Sequence, residues 1–370
     1  MHFILFHYSF AKLAGTERVL YNIMEYISTM PNARITLVLA TPPAPLALNL
    51  NAFPVDIVYL DEPVEVEGFL NALRFHHKLY KKMLKFFGQH AAEGKQVCLA
   101  TNPILAAIAY HAGRKKIGNR LAVVSCEHFA LEVAGRLSKL IRKTLYKNVS
   151  VVALTKSDQA VIMEHYAPKL CVCIPNAIPF ELKPYNDQPE QKTIVAIGRL
   201  TPQKGFDLLI RAFAGVAEKY PDWKLNIVGD DYGDGPMLEN LISELNLKKV
   251  FLLPATDQIR SHYENSTFFA LSSRFEGLPM VVLEAMGHGL PVVAFNCPTG
   301  PAELVDDTNG FLVANGDLDA FGKAMDTLMG DHELLLQKAK GANAKALFYT
   351  KSNINKGWAS LFEKIQHDQV

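Results

Sequence analysis

Short, almost wholly apolar runs recur along the first half of the chain: FILF near the start, ITLVLA at 35–40, VDIVYL at 55–60, QVCLAT at 96–101, LAVVSC at 121–126 and VSVVAL at 149–154. Continuous rather than alternating hydrophobicity is how a strand reads when both of its faces are buried. Between several runs the apolar positions return at helical spacing. In RVLYNIMEYI, Val19, Leu20, Ile23, Met24 and Ile27 fall on one helical face. Strand and helix in alternation predict parallel sheets covered by helices. The pattern stops at IPNAIPFELKPYNDQPEQK, residues 174–192, which holds four prolines and no periodicity. It resumes with TIVAIG, KLNIVG, KVFLL, TFFALS and PVVAF. The reading is therefore an N-terminal domain over 1–175, a linker over 176–191 and a second doubly wound domain over 192–350. A last helix over 351–370 carries Trp358, Leu361, Phe362 and Ile365 on a face able to dock back on the N-terminal domain. A length of 370 residues fits two cores better than one.

Composition adds little to this until it is resolved along the chain. Half the residues are hydrophobic, a fifth are charged and the net charge is +1, ordinary for a soluble globular chain. The charge is unevenly spread: residues 68–147 carry 15 Lys and Arg against 3 Asp and Glu, whereas 181–370 carry 18 against 25. Five cysteines with no CxxC pair fit a reduced, cytosolic compartment. MHFILFHYSF is too short and too interrupted for a signal peptide, and no run of 18 apolar residues predicts a membrane span.

The chemistry-bearing residues stand where strands end. RFEGLPMVVLEAMGHGLPVVA (274–294) sets Glu276 in the loop after TFFALSS and Glu284 inside the helix that follows, with Pro279 suited to the first helical turn. The unpaired N–H groups of Gly277, Leu278 and the residues after Pro279 suit a ligand at the carboxyl edge of the sheet. The alternative is a favourable charge near a helix start and the polar side of a core helix. After TIVAIG, the turn GRLTPQKG places Arg199 and Lys204 five residues apart, a spacing for diphosphate oxygens or for a solvated loop. Gly15 opens the helix after FILFHYSFAKLA, and His128 follows LAVVSC. Neither GxGxxG nor GxxxxGK[ST] is present, so a dinucleotide or P-loop enzyme is not expected. GDDYGDGP (229–236) reads as an exposed turn, and Asp317 of the DLD at 317–319 as a helix cap, so no metal and no cofactor are expected.

Together these residues resemble the family-four retaining glycosyltransferases. The Glu-x7-Glu signature stands as Glu276-GLPMVVL-Glu284, GRLTPQKG is similar to the family's diphosphate loop, AGTERV to its N-terminal glycine turn and CEH to its donor-site histidine. PNAI (175–178) and CPTGPAELVDDTNGFLV (297–313) match further segments, the latter in the form found in surface-polysaccharide and lipopolysaccharide sugar transferases. The resemblance implies an α/β GT-B fold, two Rossmann-like doubly wound domains facing across a cleft. It implies transfer of a hexose or N-acetylhexosamine from a UDP-linked nucleotide-sugar donor to a glycan or lipid-linked acceptor. In that scheme Arg199 and Lys204 neutralise the diphosphate; Glu276, with Gly277, Leu278 and Pro279, holds the sugar; Glu284 holds the ribose; Gly15 closes on the phosphates; and His128 contacts the sugar. A nucleotide-sugar isomerase of the same fold and a silent nucleotide-sugar-binding module are the alternatives.

RFHHKLYKKMLKFFGQH (74–90) interleaves Arg74, Lys78, Lys81, Lys82 and Lys85 with Leu79, Met83, Leu84, Phe86 and Phe87. A basic, aromatic-bearing helix reads as a surface for anionic lipid, or as an ordinary solvated face. No nucleic-acid motif accompanies the charge. The expected location is the inner face of the cytoplasmic membrane, peripherally attached.

Overall fold

The computed structural model describes residues 1–11, 15–46, 48–63, 68–91, 94–128, 131, 135–182 and 191–367. The chain divides into two units, Met1–Pro175 with Ile354–Val370, and Asn176–Asn353. The first is a parallel sheet of β1 (His2–His7), β2 (Arg34–Leu39), β3 (Asp56–Tyr59), β4 (Gln96–Ala100), β5 (Leu121–Cys126), β6 (Ser150–Ala153) and β7 (Leu170–Cys173), in the order β3-β2-β1-β4-β5-β6-β7. Its helices are α1 (Gly15–Ser28), α2 (Phe69–Gln89), α3 (Pro103–Ile117), α4 (Arg136–Leu145) and α5 (Lys156–Tyr166).

The second unit is a parallel sheet of β8 (Thr193–Ile197), β9 (Lys224–Val228), β10 (Val250–Leu253), β11 (Phe268–Leu271), β12 (Val292–Asn296) and β13 (Gly310–Ala314), in the order β10-β9-β8-β11-β12-β13. Helices α6 (Phe206–Ala217), α7 (Gly235–Glu244), α8 (Ile259–Glu264), α9 (Met280–Gly287), α10 (Pro301–Leu304), α11 (Leu318–Gly330) and α12 (His332–Ala346) accompany it. β13 is a strand that the runs named above do not announce, its FLV being a short run between an Asn-Gly turn and Ala314.

Parallel neighbours cannot be joined by tight hairpins, so each crossover carries a helix. Both sheets are doubly wound: strand order reverses beside the first strand of each unit, between β1 and β4 and between β8 and β11. A crevice opens at such a reversal because the connections leave toward opposite faces, and ligands bind there.

Two elements settle how the polar pattern is used. The chain ends in α13 (Lys351–Gln366), which from Ile354 onward belongs to the first unit. Trp358, Leu361, Phe362 and Ile365 are buried, and the Phe362 ring centroid lies 4.8 Å from that of Phe3 in β1. Each such side chain contributes about 1.5–3 kcal/mol through the water it no longer contacts. In α2 the apolar residues between the cations, Leu79, Met83, Phe86 and Phe87, are core. Their hydrophobicity is therefore spent on the fold.

Of the segment read as a linker, residues 183–190 lie outside the described residues. The preceding residues group with the second unit, where the Phe180 ring packs 4.6 Å from that of His288. All five cysteines are free thiols. Among the described residues no helix is long and apolar enough to cross a membrane.

Candidate functional site

In the second unit the loops that leave β8 and β11 are tied together. The β8 loop rises through Gly198 and Arg199 into a short turn, Pro202–Lys204, and ends at Gly205 in the left-handed region (φ 62°). A Cβ at Gly205 would lie 2.2 Å from the Ser272 carbonyl oxygen, so only glycine lets the two loops meet. Across that contact Ser272 Oγ donates to the Lys204 carbonyl (2.9 Å), the Arg274 N–H to the Gln203 carbonyl (2.8 Å) and Gln203 Nε2 to the Phe275 carbonyl (3.1 Å). Arg274 also forks onto Asp207 in the first turn of α6, at 2.9 and 2.8 Å. Burial works against the Asp207 charge, but the guanidinium prevails and holds its carboxyl below the usual range.

This framework brings Lys204 and Glu276 together. Lys204 Nζ stands 2.6 Å from Glu276 Oε1, and Ser273 Oγ donates to the same oxygen at 2.7 Å. Both bonds fall on Oε1, and Oε2 carries no bond from any described residue. The Glu276 backbone is bridged to Thr299 in the loop after β12, its N–H donating to the Pro298 carbonyl (2.7 Å) and its carbonyl accepting from the Thr299 N–H (2.8 Å). A Cβ on Gly300 would stand 1.7 Å from the Gly277 carbonyl oxygen, which explains the glycine after CPT. Arg199 is exposed, its guanidinium lying 5.5 Å from the centroid of the Tyr232 ring with no carboxylate partner among the described residues. One cation is thus already neutralised and the other is open to an anion.

Glu284 is 5% exposed and faces a different partner. Tyr263 donates to its Oε2 at 2.9 Å, and the Tyr263 ring stacks on His288, 5.1 Å between centroids. Pro279, read from sequence as part of the first helical turn, is instead the residue before α9, with extended ψ of 108°. No described acceptor takes the N–H of Gly277, Leu278, Met280 or Val281. Asp317 caps α11 by accepting from the Ala320 N–H (2.9 Å), and Asp231 of GDDYGDGP accepts from the Gly233 and Gly235 N–H groups (2.8 Å each). Among the described residues no cluster of His, Cys, Asp or Glu has the makings of a metal site.

The first unit carries Gly15 and His128. Gly15 begins α1, and residues 12–14 before it lie outside the described residues. His128 follows β5, with its Nε2 sealed from solvent and bonded to no described residue. Burial, helped by His7 and opposed by Glu17, lowers its pKa to about 4, so the ring is neutral near pH 7.

Around His128 stand residues that motif reading missed. At the β1–β4 reversal, His7 Nδ1 bonds Thr101 Oγ1 (2.8 Å) and His7 Nε2 bonds Glu17 Oε1 (2.9 Å). Glu127, next to His128, takes a bidentate grip from Arg142 of α4, at 3.0 and 2.8 Å, with both side chains under 5% exposed. Burial pushes the Glu127 carboxyl up while Arg142 pulls it back. The available signal was the pairing of CEH with an arginine on the apolar side of RLSKLIRKTLYK.

The basic stretch is only partly free. Lys78 and Lys82 of α2 reach Glu62 at 3.5 and 2.9 Å, and Lys82 also donates to the Leu60 and Asp61 carbonyls. Arg74, Lys81 and Lys85 have no ion-pair partner among the described residues. They share a helical stripe with Leu70 and Leu73, which are 68% and 43% exposed.

Residues 191–331 match the model of the family described as glycosyl transferases group 1. An uncharacterized glycosyltransferase of Haemophilus influenzae is 35% identical over 242 residues, covering 64% of this chain and 68% of that protein. The amylovoran biosynthesis glycosyltransferase AmsD of Erwinia amylovora is 29% identical over 243 residues, with the same two coverages. Among solved structures, HepE of Anabaena in complex with UDP superposes with a TM-score of 0.79 at 21% identity, over 98% of this chain and all of that one. At that identity the likeness carries the fold, two doubly wound α/β units of the GT-B type.

Proposed function

Because this chain belongs to the group 1 glycosyltransferases, we propose that it transfers a hexose or N-acetylhexosamine from a UDP-linked donor to a surface-polysaccharide or lipid-linked glycan acceptor, with retention at the anomeric carbon. The observation that carries this reading is the Lys204–Glu276–Ser273 cluster at the β8–β11 reversal, beside the unpaired Arg199.

In the proposed reaction the bond from the anomeric carbon to the diphosphate oxygen breaks and a bond to the acceptor oxygen forms on the same face. The acceptor proton passes to the departing phosphate oxygen. Negative charge gathers on the diphosphate as its bond to the sugar lengthens. Arg199 meets that charge with a free fork, and Lys204 does so by sharing its ammonium between phosphate and Glu276. Glu276 Oε2 is the oxygen left to accept from a sugar hydroxyl. The N–H groups at the start of α9 add donors to the same region.

Glu284, already fixed by Tyr263, takes the ribose in this scheme. Gly15 offers a backbone N–H to phosphate, and the neutral His128 takes a sugar hydroxyl. No metal enters the scheme, since cations and N–H groups meet the charge. The name of AmsD, a glycosyltransferase of amylovoran biosynthesis, supports a polysaccharide acceptor, and the UDP bound to HepE supports the base. The stripe of Leu70, Leu73, Arg74, Lys81 and Lys85 is the surface proposed to rest on anionic lipid, which would hold the protein peripherally at the inner face of the membrane.

Titration calorimetry with UDP, GDP, ADP and dTDP tests the donor assignment. UDP should bind, and Arg199→Ala should weaken it at least tenfold, the worth of one charge-assisted contact of roughly 1.5–3 kcal/mol. If no nucleotide binds, the donor reading fails. Product formed from a nucleotide-sugar without any acceptor would return the assignment to an isomerase.

A further inference from the structure

The first unit has a second concavity, at the edge of its sheet opposite to His7, Thr101 and His128. It has a volume of about 500 Å³ and lies at the amino-terminal ends of β5 and β6, within the range of small-ligand pockets. Strand register creates it. β5 starts at Leu121, paired with Gln96 of β4, whereas β6 starts at Ser150, opposite Val124. Leu121, Ala122 and Val123 therefore run on with no β6 residue beside them, and all three line the notch. Ile365 of α13 supplies one apolar wall.

Four cations line this notch, Lys95, Arg114, Lys147 and Lys169, and no carboxylate is among the described lining residues; Lys95 Nζ donates to the Gln366 carbonyl at 3.4 Å. Arg114 is held in place by a bond to Asn119 and by the Tyr110 ring, 5.9 Å from its guanidinium carbon to the centroid. Lys147 and Lys169 are exposed and have no ion-pair partner among the described residues.

Helix dipoles account for part of this charge, since Arg114 sits in the last turn of α3 and Lys147 follows α4. They do not account for Lys95 or Lys169, which precede β4 and β7 and belong to no helix. Arg114, Lys147 and Lys169, which have no ion-pair partner among the described residues, repel one another around this concavity and focus a positive potential into it. A ligand that carries several negative charges relieves that repulsion.

We propose that this notch is a binding site for a diphosphate-bearing anion, separate from the donor site of the second unit. A single phosphate would leave most of the volume empty and most of the charge uncompensated. A diphosphate spans Arg114 and the two free lysines, and the Tyr110 ring offers an apolar face to whatever the diphosphate carries. The chemistry is the same for a soluble diphosphate and for the headgroup of a diphosphate-linked lipid.

Calorimetric titration of the full chain with inorganic pyrophosphate at low salt tests the site, in wild type, in Lys147→Glu/Lys169→Glu, in the milder Lys147→Gln/Lys169→Gln and in Arg199→Ala. Wild type should show two sites. The charge reversals should weaken one of them roughly tenfold per lysine and leave UDP affinity unchanged. Arg199→Ala should act on the other site alone. The neutral double variant should weaken the same site less, which separates lost charge from lost fold.

Flotation with phosphatidylcholine vesicles, with and without a polyprenyl diphosphate, distinguishes the sources. Flotation that free pyrophosphate competes away, and that the double reversal abolishes, assigns the notch to a lipid headgroup. Pyrophosphate binding without such flotation assigns it to a soluble ligand. A single pyrophosphate site, lost in Arg199→Ala and indifferent to Lys147 and Lys169, overturns the proposal while leaving the donor assignment intact.

Discussion

Two acid–base pairs in this molecule have similar composition and opposite uses. Glu127 and Arg142 in the first unit meet through two hydrogen bonds, and both are almost wholly withdrawn from water. Lys204 and Glu276 in the second unit meet through one, with side chains 15% and 9% exposed, and a serine shares the same carboxylate oxygen. The arginine fork satisfies both carboxylate oxygens at once and leaves Glu127 nothing to offer a ligand. The lysine ammonium is a point charge on a flexible stem, so it holds one oxygen, leaves the other and can be shared with an arriving anion. The difference lies in geometry rather than charge: the pair that binds most completely is the one least able to do chemistry.

Removing half of the buried pair should produce the largest effect. Arg142→Leu leaves an uncompensated carboxylate and should cost about 3–5 kcal/mol of stability in urea unfolding. Glu127→Leu/Arg142→Leu should recover much of that loss. A double variant no more stable than the single one would show that the pair contributes beyond charge neutralisation.

The open pair should respond in the reverse manner. Lys204→Ala should lower kcat/KM roughly 10²–10³-fold, about 3–4 kcal/mol of lost charge stabilisation, with a smaller loss of stability than Arg142→Leu, because Ser273 still donates to Glu276. A large loss of stability with little loss of rate would make Lys204–Glu276 a structural strut like its counterpart.

A smaller effect separates the two regions by pH. His128 adjoins Glu127, and its pKa is lowered from 6.5 to about 4 chiefly by burial. The unfolded chain therefore takes up a proton between those values that the folded chain refuses. Its contribution is constant above pH 6.5 and is lost as pH falls toward 4. His2, also lowered to about 4 by burial first and by Arg34 second, loses stability over the same window. Melting temperature followed across this window should decline, and His128→Gln should flatten part of the decline, worth about 2 kcal/mol after allowance for the ring's partial exposure. An unchanged slope would mean that His128 titrates normally.

The sequence disclosed these regions unequally. Strands buried on both faces announce themselves as apolar runs, so the two parallel sheets were legible, while β13, with a short FLV, passed unmarked. Arg199, Lys204, Glu276 and Glu284 were legible because a strand end, a glycine and a charge fall close together in the chain. Their partners were not. Lys204 and Glu276 are 72 residues apart, and Tyr263 and Glu284 are 21 apart. Such pairs are set by strand order, which spacing does not encode. In α2 the sequence shows five cations but not that Glu62, in the turn after β3, takes up Lys78 and Lys82. The basic notch was hidden for a related reason: it exists because β6 begins late, an offset visible only in register.

The docking of α13 on the first unit also sets an order in time. Trp358, Leu361, Phe362 and Ile365 help to close a core whose other members lie before residue 176. During synthesis at roughly 5–20 residues per second, the first unit would therefore wait roughly 10–40 s, while the whole second unit is made, for its last piece. The half of the protein that leaves the ribosome first is the half that finishes folding last, and in that interval the surface around Phe3 is open to chaperones.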